Sequence, residues 1–197
     1  MSITINGNGT ITGYEPVANG SITAAKLASG AITGSNMPSG SIIQTVVGAS
    51  ETSTGSSVAI TSTSATSPTF FNSACNVALT PILSNSKILI TFTAGIRLDP
   101  DATGYVGIYY SGNSNFSSDV HLIDSKRGAS RDESFRVNSN DGDAHHFWTI
   151  TQTSWDTTVT TTNTRYYSVG GYRGNNESIY YGDQQIGLKM MAQEIKA

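Results

Sequence analysis

Two adjacent histidines, His145 and His146, follow the run Asn140-Asp-Gly-Asp143. Imidazole and carboxylate groups this close together can ligate a divalent cation. Asp-Gly is first of all a hairpin turn, however, because it tolerates the left-handed backbone such turns require. His146 and Trp148 then fall on one face of the next strand, and His145 and Phe147 on the other. Asp99-Pro-Asp101 offers two carboxylates to calcium but lacks the loop spacing of a strong site. Asp119, Asp124 and Asp132 lie among Lys126, Arg127 and Arg131. That mixture reads as a solvated loop or a subunit-contact ion pair rather than an acid–base dyad. A sugar-cleaving enzyme would need two carboxylates roughly 5 to 10 Å apart. Asp99, Asp101, Asp141 and Asp143 are its only candidates. The single cysteine, Cys75, stands in the alternating run Cys-Asn-Val-Ala-Leu. It reads as a buried strand residue, since no histidine is placed to activate it. No phosphate loop, nucleophile elbow or paired-cysteine motif is present. The sequence therefore nominates no catalytic residue, no metal ligand and no cofactor, and the expectation is that the chain is not an enzyme.

Aromatic residues offer contact rather than catalysis. Tyr109-Tyr110, Tyr166-Tyr167 and Tyr180-Tyr181 are adjacent pairs. On a strand, one of each pair enters the core and the other faces outward. Outward tyrosines, with Trp155, suit a subunit contact or a carbohydrate-stacking surface.

These residues need strands to hold them, and the composition supplies strands. Charged residues make up 13% of the chain, about half the usual share. Ser, Thr, Gly and Asn replace them, and these are poor helix formers. Short runs rich in Val, Ile, Thr, Tyr and Phe alternate with Gly, Asn, Asp and Ser clusters. They predict strands near Ile42–Val47, Val58–Thr63, Asn76–Leu83, Lys87–Ala94, Tyr105–Tyr110 and His121–Asp124. Further strands are expected at His146–Thr153, Thr158–Thr162, Arg165–Gly170, Ser178–Tyr181 and Ile186–Ile195. Lys87–Ala94 starts apolar on both faces, which suits a central strand. Many short strands with such turns indicate an all-β, antiparallel sandwich over residues 43–197. A net charge of −3 with no basic run argues against nucleic-acid binding. No stretch approaches the roughly 18 apolar residues of a membrane span. No basic residue precedes an apolar run at Met1, so no export signal is expected.

Residues 1–42 are organised differently. Val17-Ala-Asn-Gly-Ser-Ile-Thr23, Leu27-Ala-Ser-Gly-Ala-Ile-Thr33 and Met37-Pro-Ser-Gly-Ser-Ile-Ile43 repeat every ten residues. Gly9-Thr-Ile-Thr12 is a degenerate earlier copy. Each unit offers two large apolar side chains, whose burial yields roughly 3 to 6 kcal/mol. Ordering ten residues costs on the order of 10 to 20 kcal/mol. Neighbouring chains or a docking surface must make up the difference. Ile3, Ile5, Ile11, Val17, Ile22, Leu27, Ile32, Met37 and Ile42 are therefore the expected oligomer and anchoring residues.

Asn19-Gly-Ser-Ile-Thr-Ala-Ala-Lys-Leu-Ala-Ser-Gly-Ala-Ile-Thr33 resembles the virion-proximal repeats of phage tail-fibre and related virion proteins. Ser86–Ile90, Thr157–Thr162, Arg165–Val169 and the closing Glu194-Ile195 resemble, in order, the C-terminal sandwich of such proteins. That sandwich is similar to trimeric jelly rolls of the tumour-necrosis-factor and C1q kind. The resemblance implies a homotrimeric virion protein attached to other virion proteins through its repeats. It would be a short fibre or knob, with a host surface glycan or protein as a further expected contact. A capsid-decorating protein and a lectin-like binding module are the alternatives.

Overall fold

The computed structural model describes residues 4–5, 11–12, 33–49, 58–123, 135–139, 145–181 and 187–197. The chain divides into two units, Met1–Asn36 and Met37–Ala197. In the first, β1 (Thr4–Ile5) pairs antiparallel with β2 (Ile11–Thr12), Ile5 opposite Ile11. A single 3-10 turn, Gly34–Asn36, closes on a 2.9 Å bond from Asn36 N–H to the Thr33 carbonyl. Of the expected anchoring residues, Ile3, Val17, Ile22, Leu27 and Ile32 lie outside the described residues, and Ile5 and Ile11 are described in their backbone alone. Met37 and Ile42 belong to the second unit.

The second unit is a jelly roll of two antiparallel sheets. The first sheet runs β3 (Ile42–Val47), β14 (Lys189–Ile195), β7 (Lys87–Leu98), β11 (His146–Asp156). Short β13 (Ile179–Tyr181) continues the line of β14 beside the end of β7, and β4 (Val58–Ala59) flanks it. In the second sheet, β12 (Arg165–Arg173) is central. It pairs with β5 (Thr69–Phe70) and β6 (Val77–Leu79) on one edge and β8 (Thr103–Ser111) on the other. Beyond β8 lie β9 (His121–Ile123) and β10 (Phe135–Asn138). The chain crosses repeatedly between the sheets, and the resulting orders, β3-β14-β7-β11 in one and β6-β12-β8-β10 in the other, are those of a jelly roll.

The alternation of β7 builds the core. Ile88, Ile90, Phe92, Ala94, Ile96 and Leu98 face inward and are buried. They meet Val106 and Ile108 of β8, Tyr167 and Val169 of β12, and Met190 and Ala192 of β14. Each large apolar side chain so buried contributes about 1.5 to 3 kcal/mol. Phe71 stacks on Tyr181 at 4.3 Å, closing one flank.

Several expected strands are shorter than their sequence suggests, because side chains take their backbone groups. Residues 158–162 form no strand. Asp156 accepts the Thr158 N–H at 2.9 Å and turns the chain there. β4 stops at Ala59 because Thr69 Oγ1 accepts the N–H groups of Thr61 and Ser62. β6 ends at Leu79, and the N–H groups of Ile82 and Leu83 go to Glu194. β5 and β10 were not expected.

Among the described residues, two carboxylates are buried, Asp156 and Glu194. Asp156 receives Arg165 Nη1 at 2.7 Å, the Tyr167 hydroxyl at 2.9 Å and the Thr158 hydroxyl at 2.8 Å. Burial, then the Asp156 charge, push the Tyr167 phenol far above its ordinary value, so it stays a neutral donor. Glu194, fully buried, accepts Ile82 N–H at 2.9 Å, Leu83 N–H at 3.0 Å and Gln44 Nε2 at 2.6 Å. Desolvation alone would raise its pKa, but these donors together outweigh it and hold the carboxyl below its ordinary 4.5. The Glu194 stabilisation is thus complete above 4.5 and lost as pH falls through the lower folded value. Glu194→Gln should cost about 1 to 3 kcal/mol at neutral pH by urea unfolding. Its stability should also fall less steeply than the wild type's between about pH 5 and about pH 3. Parallel acid limbs would contradict the assignment.

Candidate interaction surface

The outer face of the first sheet is built by the residues that alternate with the core. On β11 these are Phe147, Thr149, Thr151, Thr153 and Trp155, all exposed. On β7 they are Leu89, Thr91 and Thr93, and on β14 they are Lys189, Met191 and Gln193. Thr45 and Val47 complete the face on β3. Register puts threonines opposite one another. Thr91 and Thr153 hydroxyls meet at 3.0 Å, and those of Thr93 and Thr151 at 2.9 Å. Among the described residues, none of these outward positions carries a carboxylate; Asp156 of β11 and Glu194 of β14 face inward. A hollow of about 150 Å³ lies between Val47, Thr91, Thr93, Lys189 and Met191.

The exposed large apolar side chains concentrate here. Among the described residues they are Ile42 and Val47 on β3, Phe147, Trp148 and Trp155 on β11, and Ile82. Val47 is 68% exposed and Trp155 48%. β3 and β11 are the two edges of the same sheet, each paired along one side only among the described residues. β11 pairs with β7 over eleven successive residues without a bulge. It carries no lysine and no proline, the usual devices that protect an edge. An edge of this length with exposed apolar side chains is a candidate association site.

The titratable candidates are arranged differently from this face. His145 Nδ1 lies 3.0 Å from Asp99 Oδ1, and Arg97 Nε lies 3.6 Å from the same oxygen. Arg97 also stacks over Tyr180 at 4.1 Å. Asp101 has a left-handed φ of 58°, and its carbonyl accepts Asn175 Nδ2 at 2.7 Å. These contacts join three loops. Asp119 pairs with His121 at 2.7 Å, which stacks on Tyr110. Asp124, Lys126, Arg127, Arg131, Asp132, Asp141 and Asp143 lie outside the described residues. No group of three possible metal ligands occurs among the described residues. Cys75 is buried, its thiol 3.6 Å from the Leu188 carbonyl.

The tyrosine pairs divide as alternation requires at two sites. Tyr167 and Tyr181 are buried, and Tyr166 and Tyr180 are partly exposed. At the third, Tyr110 packs against the core, yet Tyr109 is buried too, because Phe70 and Phe116 cover it from outside. Of the face itself, the sequence reading singled out Trp155, placed Phe147 on a strand face without assigning it a contact, read the break of alternation at Met190-Met191 as a bulge or a covered outer face, and missed Val47 and the threonine ladder. The signal was the period-two threonine spacing in Thr91-Phe-Thr93 and Thr149-Ile-Thr-Gln-Thr153.

No protein-family model matches this chain, and a search of curated proteins finds no match. The class it belongs to rests on its architecture, an antiparallel jelly roll.

The two kinds of aromatic site should respond differently to substitution. Tyr167→Phe removes a donor from a buried carboxylate and should cost about 1 to 3 kcal/mol of stability. Trp155→Ser touches no core contact and should change stability by less than about 1 kcal/mol at concentrations where the chain is dissociated. Calorimetry on dilute samples checks both, and a large loss for Trp155→Ser would place it in the fold rather than on the contact surface.

Proposed function

We propose that the chain is a structural protein of a bacteriophage particle, acting by surface contact rather than catalysis. Its repetitive N-terminal segment holds the particle, and its jelly roll projects as a short homotrimeric fibre or knob. The observation that carries this reading is the uncovered sheet face, which is apolar at both edges and free of carboxylates. The ten-residue repeat supports it, since each unit needs neighbouring chains or a docking surface to bury its apolar side.

The edges also favour a particular symmetry. An isologous dimer would pair one edge with itself and leave the other apolar edge in water. Head-to-tail contact, β11 of one copy against β3 of the next, covers both edges in every copy, and a turn of one third of a circle per copy closes it as a trimeric ring. Register sets the heights. Val47 is level with Met191, Thr91 and Thr153. Trp155 lies two residues further along, roughly 7 Å away, within reach of the hollow beside Val47.

Light scattering of the full chain should give about three times its 20.7 kDa. Val47→Asp and Trp155→Glu should each shift it to monomer. On oxidation, a Val47→Cys and Thr153→Cys double variant should form covalent multimers up to trimer, whereas either single variant should not. Monomeric wild type would refute the trimer, and disulfide dimers from a single variant would show an isologous contact instead.

A further inference from the structure

The jelly roll receives the chain and closes its last strand at one place. The Lys196 N–H donates to the Ser41 carbonyl at 2.9 Å, and the Gly40 N–H donates to the Lys196 carbonyl at 2.8 Å. Lys196 Nζ donates to the Met37 carbonyl at 2.5 Å. Gly40 takes a φ of 84°, open to glycine, and turns the chain into β3. Three residues into β3, Gln44 bonds the Glu194 carboxylate, which also holds the 81–83 loop. Residues 37–44 are thus tied to residues 194–196 by side-chain and backbone bonds before the regular ladder takes over.

Strand direction sets where force must go. From this end β3 runs along β14, which is itself paired with β7 through seven residues. The loops Gly112–Val120 and Thr157–Thr164 lie at this same end. The loops Asp99–Ala102 and Gly174–Ser178 lie at the opposite end. The far loops are cross-tied by the bonds from Asp99 N–H to Ser178 and from Asn175 Nδ2 to Asp101.

We infer that residues 37–44, stapled by Glu194 and Lys196, are a shear anchor that passes tension from the upstream segment into β14 and β7. The inference rests on the reading that the upstream segment holds a particle while the jelly roll is held from elsewhere. Tension between Met37 and the far loops runs along the strand axes. β3 can then yield only by sliding, which strains its whole ladder and both staples together. Tension between Met37 and the near loops runs across the strands instead. It peels β3 away one bond at a time, so no step needs more than the loss of a single bond. The fold therefore resists the first direction and gives in the second.

Single-molecule pulling on the full chain tests this, with one handle at the N-terminus. The second handle goes to Asn176→Cys at the far end or Ser117→Cys at the near end, both exposed positions. Cys75 is buried and stays unlabelled. The far handle should require about twofold more force, since forced unfolding reads the unfolding barrier. Glu194→Gln should lower the far-handle force and leave the near-handle force almost unchanged. Lys196→Met removes only the staple to Met37 and decides the matter if Glu194→Gln does not fold. Equal forces for the two handles, or a far-handle force indifferent to the staples, would overturn the anchor. Failure of the particle reading would show separately, as chains lacking residues 1–36 that still join particles, and would leave the measured forces unchanged.

Discussion

Pairing along both edges of β7 is the constraint on which the rest of the jelly roll depends. Of its twelve residues, Ile88–Leu98 are matched by β11 on one side, and Lys87–Thr93 and Ile96–Leu98 by β14 and β13 on the other. Because side chains alternate, that double pairing fixes the faces of three strands at once. A slip of one residue would send Phe92 and Ile90 to water and Thr91 and Thr93 into the core. The six inward residues of β7 pin the register, and the outer face inherits its threonine ladder from them. The interaction surface is thus a by-product of the core's parity, and its regularity needs no separate cause.

Scarcity of charge gives the few buried charges unusual weight. Asp156 and Glu194 each lie at the end of the sandwich where the chain enters, and each gathers a loop rather than a single partner. Asp156 turns the chain from β11 toward β12 and anchors Arg165, whose guanidinium lies over Tyr110 at 4.7 Å. Glu194 holds the 81–83 loop and Gln44. A buried carboxylate without donors would destabilise the fold by several kcal/mol, so these loops are fixed by the acids they satisfy. Apolar residues could fill the same volume, but they would not choose a loop conformation.

The alternation that builds sheets was plain in the sequence, and the part set by tertiary hydrogen bonding was not. Lys87–Ala94 reads as a central strand because its first half is apolar on both faces, and β7 is central. Its extension to Leu98 was hidden by Gly95 and Arg97, which break the apolar run but sit on the outward parity. Thr157–Thr162 has strand propensity throughout, yet the Asp156 side chain captures its backbone first, and composition carries no sign of that capture. β5 and β10 are two and four residues long and owe their pairing to β12 and β8. Trp155 stood out as an outward aromatic. Val47 did not, because an apolar residue on a strand reads as core until the partner strands show which way it faces.

The same geometry serves contact and load without conflict. In the proposed assembly, self-association would use the outer face and the edges of the first sheet, whereas tension would travel in its plane, along β3, β14 and β7. Covering the β3 edge with a neighbouring β11 would add a second row of bonds, lying across the strands and loaded together in shear, and raise the resistance of the anchor. The opposite order, an anchor on an unassociated chain, leaves β3 held along one side only. In the proposed trimer, closure and mechanical strength would therefore be coupled through a single edge strand, and weakening the Val47 contact should soften the anchor even though Val47 lies away from Glu194 and Lys196 in the strand.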